Sequence, residues 1–221
     1  AVHAVIGPNG AGKSTLANLL SGDLRPTAGS ILFDGSEISR LSADRRSRMG
    51  IGRSYQKTNV FQEFTALENC RLAAQSRDPH PFNWLRDALS YRGVIEAAEQ
   101  ALATVGLQER MQVPAGHLSH GEQRQLEIAM CLATNPRVLI LDEPLAGMGA
   151  EESAAMVGLL KTLAGEHAVL LVEHDMDAVF ALAQVLTVMV NGVVLDSGAP
   201  DKVRANPDVQ IAYLGAPEYH A

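Results

Sequence analysis

The feature that most constrains the fold of this chain is a glycine-rich segment near its beginning, Gly-Pro-Asn-Gly-Ala-Gly-Lys-Ser at 7–14. The apolar run Val2–Ile6 before it predicts a short strand, and Ser14 to Ser21, closed by Gly22, predicts a helix. Glycines let the backbone wrap tightly, so several N–H groups and a helix N-terminus point at one anion. An ordinary glycine-rich turn is the weaker interpretation, because every position of the pattern and both flanks match. The segment therefore predicts a loop that binds a nucleoside triphosphate.

We expect the phosphate contacts to come from the backbone of this loop and from two side chains. The Lys13 ammonium would add a positive charge at the β- and γ-phosphates, and the Ser14 hydroxyl is placed to hold Mg²⁺. The predicted nucleotide-binding residues are Gly7, Pro8, Asn9, Gly10, Ala11, Gly12, Lys13, Ser14 and Thr15.

Composition narrows the class of protein around this loop. A chain of 221 residues with 47% hydrophobic content is typical of one large globular α/β domain, or of a domain with a smaller lobe. No apolar run approaches the ~18 residues that span a membrane, and the chain opens without the basic segment of a secretory signal. The net charge of −7 argues against nucleic acid as a partner.

We predict no binding or chemical role for the basic cluster or for the two cysteines of this chain. The basic cluster consists of Arg45, Arg46, Arg48 and Arg53. We interpret this cluster as a solvated helix face in preference to a binding patch. Cys70 and Cys131 lie far apart and have no Cys-x-x-Cys spacing, so we predict buried apolar fillers in a reducing compartment, and neither a zinc site nor a disulfide.

The first part of the chain predicts an α/β core that is then interrupted by helices. Residues 31–35, followed by Ile38, predict a small antiparallel hairpin at an Asp-Gly turn, and Ile51–Tyr55 predicts another short strand. From 61 to about 116 the pattern is helical, at 66–75 and 94–105, with no strand signal. The sequence therefore predicts a helical lobe inserted into the core.

After the lobe, strands and helices alternate regularly. The predicted elements are strands at 137–142 and 168–173, helices at about 151–163 and up to 183, and two short strands around 185 and 193. Continuous apolar strands such as 138–141 are typical of a parallel sheet covered on both faces. We therefore assign 1–60 and 134–221 to the α/β core and 61–133 to the helical lobe.

Two further segments carry chemistry. The strand 138–141 ends in Asp142 and Glu143, which it would deliver to the carboxyl edge of the sheet; taken alone, the pair could equally be an ordinary start of a helix. Ser119 and Glu122 fit a capping box at the start of a helix that runs to about Ala133. A helix N-terminus led by Ser and Gly is also an anion site, and spacing does not choose between these compatible interpretations.

The order of these motifs resembles the ATP-binding cassette (ABC) ATPases. Five motifs follow one another over essentially the whole chain: the phosphate loop at 7–14, Gln56, Leu-Ser-His-Gly-Glu at 118–122, the strand ending in Asp142-Glu143, and His174. The resemblance implies one nucleotide-binding domain over 1–221: a P-loop NTPase core with a mostly parallel sheet, an antiparallel β portion and an inserted helical subdomain. It also implies Mg²⁺-dependent hydrolysis of ATP by a head-to-tail dimer that sandwiches two ATP molecules.

The resemblance implies a role for each predicted catalytic and metal-binding residue. Glu143 would be the general base, His174 the switch histidine on the γ-phosphate, and Gln56 the residue that touches Mg²⁺ and the attacking water. Ser14 and Gln56 would contact the metal ion, and Asp142 would hold it through water. His174 follows a buried strand, where a structural histidine is equally typical; the order of the family motifs favours the switch.

The resemblance also assigns Ser119 and Gly121 to contacts with the γ-phosphate bound by the partner subunit. The chain departs from the common Leu-Ser-Gly-Gly-Gln signature at His120 and Glu122, and keeps the phosphate-facing pair. The family often has Ser-Ala-Leu-Asp after the catalytic Glu-Pro, whereas this chain has Ala-Gly-Met-Gly at 146–149. The aspartate used in communication across the dimer is therefore missing.

Four stretches resemble the ATPase subunits of branched-chain amino acid importers more narrowly: Phe61–Asn69, the continuation of the signature at 124–129, and the C-terminal segments at 206–209 and 212–215. Importers of urea and short amides are the next alternative. A non-transport ABC ATPase acting on DNA or ribosomes, and a module that binds nucleotide without hydrolysing it, are the remaining ones.

An importer subunit implies defined partners and a defined place. The expected partners are a second ABC ATPase subunit, for which a heteromer is favoured over a homodimer, membrane permease subunits, and indirectly a substrate-binding protein. We expect a cytoplasmic, peripheral protein at the inner face of the membrane, with the permease in the groove between Gln56 and the helical lobe. Because the family has a strand and an adenine-stacking aromatic before the phosphate loop, we also expect an N-terminally truncated domain.

Overall fold

A computed structural model describes residues 1–55, 59–77 and 92–214. Within this part of the chain the strands are β1 (Val2–Ile6), β2 (Leu32–Phe33), β3 (Ser36–Glu37), β4 (Ile51–Arg53), β5 (Val138–Asp142), β6 (Ala168–Val172), β7 (Val185–Val190) and β8 (Val193–Gly198). The helices are α1 (Lys13–Ser21), α2 (Ala43–Arg48), α3 (Ala66–Gln75), α4 (Arg92–Thr104), α5 (His120–Leu132), α6 (Ala150–Glu166), α7 (Met176–Leu182), α8 (Pro200–Arg204) and α9 (Pro207–Leu214). Gln56 lies outside the described residues.

The central sheet has the strand order β4-β5-β6-β1-β7-β8. Neighbours from β4 to β7 pair in parallel, and β8 pairs antiparallel with β7. The hairpin β2–β3 forms a separate two-stranded antiparallel sheet, as the Asp-Gly turn predicts. Since β1, β4, β5 and β6 run the same way, the segments that follow them all begin at one edge of the sheet.

Both faces of the sheet are covered, as the continuous apolar strands predict. Ile140 of β5 packs with Val5 and with Ala17 of α1 on one face. Leu139 and Leu141 point the other way and join a larger core to which α6 contributes Met156, Leu160 and Leu163. This alternation of buried side chains on the two faces fixes the register of β5, and with it the position of the carboxylates at its end.

The helices α3, α4 and α5 form the helical lobe. Ala98 and Leu102 of α4 are fully buried with Cys70 of α3 and Leu126 of α5. The described residues from 59 to 133 contain no strand, and only an isolated bridge between Thr65 and Pro114. Helix α5 therefore starts within the lobe and runs on toward the connection to β5.

The interpretation of the basic cluster as a solvated face is wrong for Arg46. This side chain is fully buried, although Arg45 and Arg48 beside it are exposed. Its guanidinium donates hydrogen bonds to backbone carbonyls of Leu19 and Leu20, in the last turn of α1, and of Ser39 and Leu41. A cation is favourable at the C-terminal end of a helix, where carbonyls are unpaired. Arg46 therefore caps the C-terminal end of α1.

Cys70 is a buried filler, as predicted, whereas Cys131 is half-buried and packs against the same core. Cys70 is fully buried in the lobe, and the Cys131 thiol donates to the Arg53 carbonyl at 3.0 Å. Burial raises the pKa of both thiols to about 12, so both are protonated and unreactive near neutral pH.

Candidate nucleotide-binding site

The glycine-rich segment forms the turn between β1 and α1 for a steric reason. Gly7 passes so close to β7 that a Cβ on it would lie 2.1 Å from the Met189 carbonyl oxygen. The β7–β8 turn supports the loop from outside, because Gly192 donates its N–H to the Ala11 carbonyl at 2.9 Å. The loop is therefore built against the sheet by backbone contacts that only small residues allow.

The N-terminal end of α1 is open. Its N-cap is Gly12, in the left-handed region at φ 97°, and no side chain accepts a hydrogen bond from the first turn. The Lys13 side chain is buried and folds back over the loop, with Nζ donating to the carbonyls of Gly7 at 2.7 Å and Pro8 at 3.2 Å. A positive charge and uncapped N–H groups thus face the same concavity, which suits an anion.

Asp142 lies beside this concavity at the end of β5. It is 2% exposed, and burial raises the pKa of its carboxyl group, as does the neighbouring Glu143 carboxylate. The guanidinium of Arg53 and the hydroxyl of Ser14 oppose that rise in pKa. Arg53 Nη2 is 3.6 Å from Asp142 Oδ2. Ser14, predicted to contact the metal ion, and Asp142, predicted to hold it through water, are therefore brought together.

One carboxylate oxygen of Asp142 is available to bind a cation. Among the residues that the structure describes, its Oδ1 atom is buried and has no hydrogen-bond partner. An orphaned carboxylate oxygen is costly unless a ligand or water satisfies it. A magnesium ion prefers carboxylate and hydroxyl oxygens, and these are the atoms that Asp142 and Ser14 present. The donor set therefore fits Mg²⁺.

Glu143 leaves the sheet in a strained conformation. Its φ is 50°, in the left-handed region that residues with a side chain rarely adopt. Its backbone N–H still continues the ladder to the Val172 carbonyl at 2.8 Å, and its own carbonyl accepts from Ala146. The chain thus turns sharply at this residue, whose side chain is half-buried at the edge of the sheet.

His174 follows the neighbouring strand β6, so it starts from the same edge. Its side chain is 62% exposed, and its Nδ1 atom is 3.7 Å from an oxygen of the buried Glu173. Because Asp142 pairs with Val172 in the sheet, the segments that carry Glu143 and His174 leave adjacent strands at the same level. The sheet therefore brings both predicted residues to one edge.

Ser119 and Glu122 form the predicted capping box at the start of α5. The Ser119 hydroxyl accepts from the Glu122 N–H at 3.2 Å, and the Glu122 carboxylate accepts from the Ser119 N–H at 2.8 Å. His120 Nε2 contacts the Ala146 carbonyl at 3.1 Å, so the signature segment touches the loop after Glu143. These hydrogen bonds run within the segment and to Ala146, and the predicted role of the segment toward a partner's nucleotide remains a prediction.

Helix α5 also holds both sides of the segment that contains Gln56. Arg124 donates to the Tyr55 carbonyl at 2.9 Å, and Glu127 accepts the Asn59 N–H at 2.7 Å. The two side chains pair with each other at 2.9 Å and are both nearly buried. Burial raises the pKa of Glu127 in spite of these partners. The signature helix is thus hydrogen-bonded to Tyr55 and Asn59, the described residues on either side of 56–58.

Three residues of the site were not found from the sequence. Arg53 was assigned to a solvated face, yet its guanidinium lies over the ring of Tyr55. Its Nη1 atom pairs with the Asp23 carboxylate at 2.8 Å, and its Nη2 atom approaches the Asp142 carboxylate. Its place at the end of a short strand was the available signal. Glu127 and Glu173 gave only the weak signal of an acidic residue inside an apolar segment.

Two protein-family models match this chain. The ABC transporter family model matches residues 1–146, which is more than half of the chain, and a model described as a branched-chain amino acid ATP-binding cassette transporter matches residues 197–219. The chain belongs to the ABC transporter family. It is therefore an ABC-type ATPase subunit, as the order of its motifs predicts.

Curated relatives agree with this assignment. The chain is 42% identical over 223 residues to the high-affinity branched-chain amino acid transport ATP-binding protein BraF of Pseudomonas aeruginosa, covering 97% of this chain and 87% of BraF. It is 38% identical over 221 residues to the corresponding protein LivG of Escherichia coli K12, with the same coverage. The resemblance to this subgroup is confirmed.

Solved structures confirm the fold. A nucleotide-free ATP-binding cassette from an ABC transporter superposes with a TM-score of 0.85 at 29% identity, covering 97% of this chain and 88% of that one. The ADP conformation of the cassette MJ1267 gives 0.82, also at 29% identity. A dimeric cassette, MJ0796 bound to ADP and Pi, gives 0.75 at 26% identity and covers 90% of this chain and 84% of that one. Nucleotide binding is thus a property of this family.

Across residues 1–55, 59–77 and 92–214, no helix combines the length and the apolar character that a bilayer crossing requires.

Proposed function

We propose that this chain binds Mg²⁺ and ATP at the loop 7–14 and hydrolyses the nucleotide to power an importer of branched-chain amino acids or a related small amino acid. The observation that carries the proposal is the open N-terminal end of α1, with buried Lys13 on one side and Asp142 and Glu143 on the other. The proposed cargo is inferred from BraF and LivG, whose names describe them as branched-chain amino acid transport ATP-binding proteins.

Binding uses the backbone N–H groups of the loop and the Lys13 ammonium, which would exchange the Gly7 and Pro8 carbonyls for phosphate oxygens. Ser14 and Asp142 would hold Mg²⁺, together with Gln56, which lies outside the described residues. When bound, the ion neutralises charge on the β- and γ-phosphates. The net effect is to position the terminal phosphate at the carboxyl edge of the sheet.

Hydrolysis needs a base for the attacking water and a sensor for the terminal phosphate. Glu143 is proposed as the base, since its backbone turn at φ 50° directs the chain away from the sheet right after Asp142. His174 is proposed as the residue that contacts the γ-phosphate, because it starts from the adjacent strand. Its exposed imidazole is accessible to a bound nucleotide.

Replacement of Glu143 tests the catalytic assignment. In the transporter complex with its permease, Glu143→Gln is expected to reduce steady-state ATPase activity by about 100-fold or more, because general-base catalysis contributes on that scale. Equilibrium binding of ATP should stay within about threefold of the unmodified chain. Glu151→Gln, the same change at an exposed residue of α6, is the matched control and should retain full activity. Full turnover in Glu143→Gln would refute the assignment.

The partner is proposed to be a second ATPase subunit whose counterparts of Ser119 and Gly121 close on the nucleotide of this one. Support comes from the dimeric cassette MJ0796 and from the open side of the loop 7–14. Mixing tests it: Lys13→Ala chains should be inactive alone, and Ser119→Ala chains should be about 10-fold slower than the unmodified chain. A mixed dimer regains one intact site, so mixing should restore roughly a quarter of the activity if chains pair at random. No recovery on mixing would contradict the shared site for a homodimer and favour a different second subunit.

Membrane attachment is proposed to occur through permease subunits at the inner face of the membrane, with a substrate-binding protein delivering cargo. Uptake of labelled leucine and of labelled urea by cells that lack the chain, with and without its return, separates the two cargo classes. Restored leucine uptake is expected; restored urea uptake alone would replace the amino acid assignment with the urea one.

A further inference from the structure

Glu173 has an environment that its position in the sequence does not predict. It is the residue directly after β6 and before His174, and it is 0% exposed. Burying a carboxylate is costly unless hydrogen bonds replace the lost water. The interactions that compensate Glu173 therefore indicate what it holds.

The partners of the Glu173 carboxylate are backbone N–H groups from two loops. Oε1 accepts from Leu145 at 2.9 Å, and Oε2 accepts from His174 at 2.9 Å and Asp175 at 3.4 Å. Charged acceptors of this kind make stronger hydrogen bonds than neutral ones. One side chain thus ties the loop after β5 to the loop after β6.

Both loops carry residues of the proposed chemistry. Leu145 is two positions after Glu143, and its N–H is held by a residue 28 positions away. Glu143 itself has a left-handed backbone at φ 50°, a conformation that persists only when its surroundings fix it. The bond to Leu145 fixes one end of that turn, and the bond to His174 fixes the start of the other loop.

We propose that Glu173 is a positioning residue for ATP hydrolysis: its buried carboxylate joins the loop of Glu143 to the loop of His174 and so sets the spacing between these two side chains. This inference rests on the proposed function, which assigns Glu143 and His174 to the reaction. Glu173 does not touch the nucleotide in this account; it acts through the backbone of its neighbours.

The chemistry of the link requires both carboxylate oxygens. A glutamine at 173 keeps the size and has one accepting oxygen, so its NH₂ group would face a backbone N–H on one of the two loops. An aspartate keeps the charge and is one methylene shorter, so it cannot reach both loops. Either change therefore releases one loop from the other with little change in buried volume.

The test compares Glu173→Gln and Glu173→Asp with Glu68→Gln in the complete transporter. Glu68 is the matched control, because its carboxylate also accepts a backbone N–H, from Thr65 at 2.8 Å, in the helical lobe. We expect kcat to fall about 10- to 100-fold in both Glu173 variants, since misplacement by about 1 Å costs on that order. The KM for ATP and the equilibrium affinity should stay within about threefold. Glu68→Gln should retain kcat.

A double variant separates positioning from general destabilisation. If Glu173 acts by positioning Glu143 against His174, then Glu173→Gln should lower turnover by a clearly smaller factor in the Glu143→Gln chain than in the unmodified chain. Unchanged kcat in both Glu173 variants would overturn the inference, as would a loss of ATP affinity that matches the loss of kcat. If Glu173→Gln does not fold, Glu173→Asp decides alone, and an unfolded Glu173→Asp also overturns it because the role is then structural.

The single variant Glu143→Gln shows whether the proposed function fails or only the positioning role of Glu173. If it is inactive while the Glu173 variants are normal, only the positioning role fails. If Glu143→Gln hydrolyses ATP at the full rate, the proposed function of Glu143 fails and the positioning role fails with it.

Discussion

Two helices of this molecule begin with a serine- or glycine-containing segment that sequence patterns connect with phosphate, and their N-terminal ends differ. Helix α1 begins after Gly12, with no side-chain cap and no acidic residue in its first turn. Helix α5 begins after Ser119, and its first turn is closed by a reciprocal pair of hydrogen bonds with Glu122. The same helix dipole is therefore left open in one case and satisfied internally in the other.

This difference decides which of the two helix ends can bind an anion within one chain. At α1 the N–H groups have no competitor, and Lys13 adds a positive charge. At α5 the carboxylate of Glu122 lies beside the end of the helix, and Arg110 Nε pairs with it at 3.0 Å. A phosphate at the N-terminal end of α5 would be repelled by the Glu122 carboxylate unless the phosphate were already bound to positive groups of another chain. Nucleotide bound first by α1 of a partner chain satisfies that condition.

The largest effect is expected at the C-terminal end of α1, which Arg46 caps. Arg46→Met removes the guanidinium that donates to carbonyls at the last turn of α1 and leaves those buried groups unpaired. We expect the free energy of unfolding to fall by about 3–5 kcal/mol, because each buried acceptor that is left unpaired costs about 1–3 kcal/mol. Denaturant titration measures it, with Arg45→Met as the exposed control. A loss below about 1 kcal/mol would show that the cap contributes little.

The next effect concerns the open end itself. Gly12 has φ 97°, and Gly12→Ala would force an alanine into the left-handed region at a cost of about 1–2 kcal/mol. Gly158→Ala, in the middle of α6 with open space around its Cα, should instead stabilise by about 0.5–1 kcal/mol. Thermal unfolding of both variants provides the comparison. A Gly12→Ala chain as stable as the parent would contradict the strained start of α1.

The smallest effect separates capping from a role across the dimer. Thr65 and Ser119 close equivalent capping boxes on α3 and α5, so each change to alanine should cost about 1 kcal/mol of stability. Only Ser119→Ala is expected to lower ATPase activity of the assembled transporter, by about 10-fold, the value of one hydrogen bond to a charged group. Equal ATPase rates in the two variants would reduce Ser119 to a cap.

Much of this architecture follows from local pattern. The glycine-rich loop, the strand before Asp142 and the helix from Ala66 to Gln75 lie where the sequence predicts them, because the signals are carried by neighbouring residues. The capping box at Ser119 is confirmed for the same reason.

What the sequence does not predict depends on distant partners. Arg46 bonds carbonyls up to 27 positions away, and Arg124 and Glu127 bond Tyr55 and Asn59 across 69 and 68 positions. A charge pattern does not distinguish such buried residues from a solvated face. The roles of Gln56, His174 and the lobe boundary at 61–133 remain predictions.

Equilibrium binding of ATP to two variants of the isolated chain tests the central claim, that α1 binds nucleotide in its own chain and α5 does not. With Mg²⁺ present, Lys13→Ala should weaken the affinity about 10- to 100-fold, as expected for a lost charged hydrogen bond, and Ser119→Ala should leave it within about twofold. Lys161→Ala, at an exposed position of α6, is the control. Equal weakening by Ser119→Ala and Lys13→Ala, or normal binding by Lys13→Ala, would contradict the account.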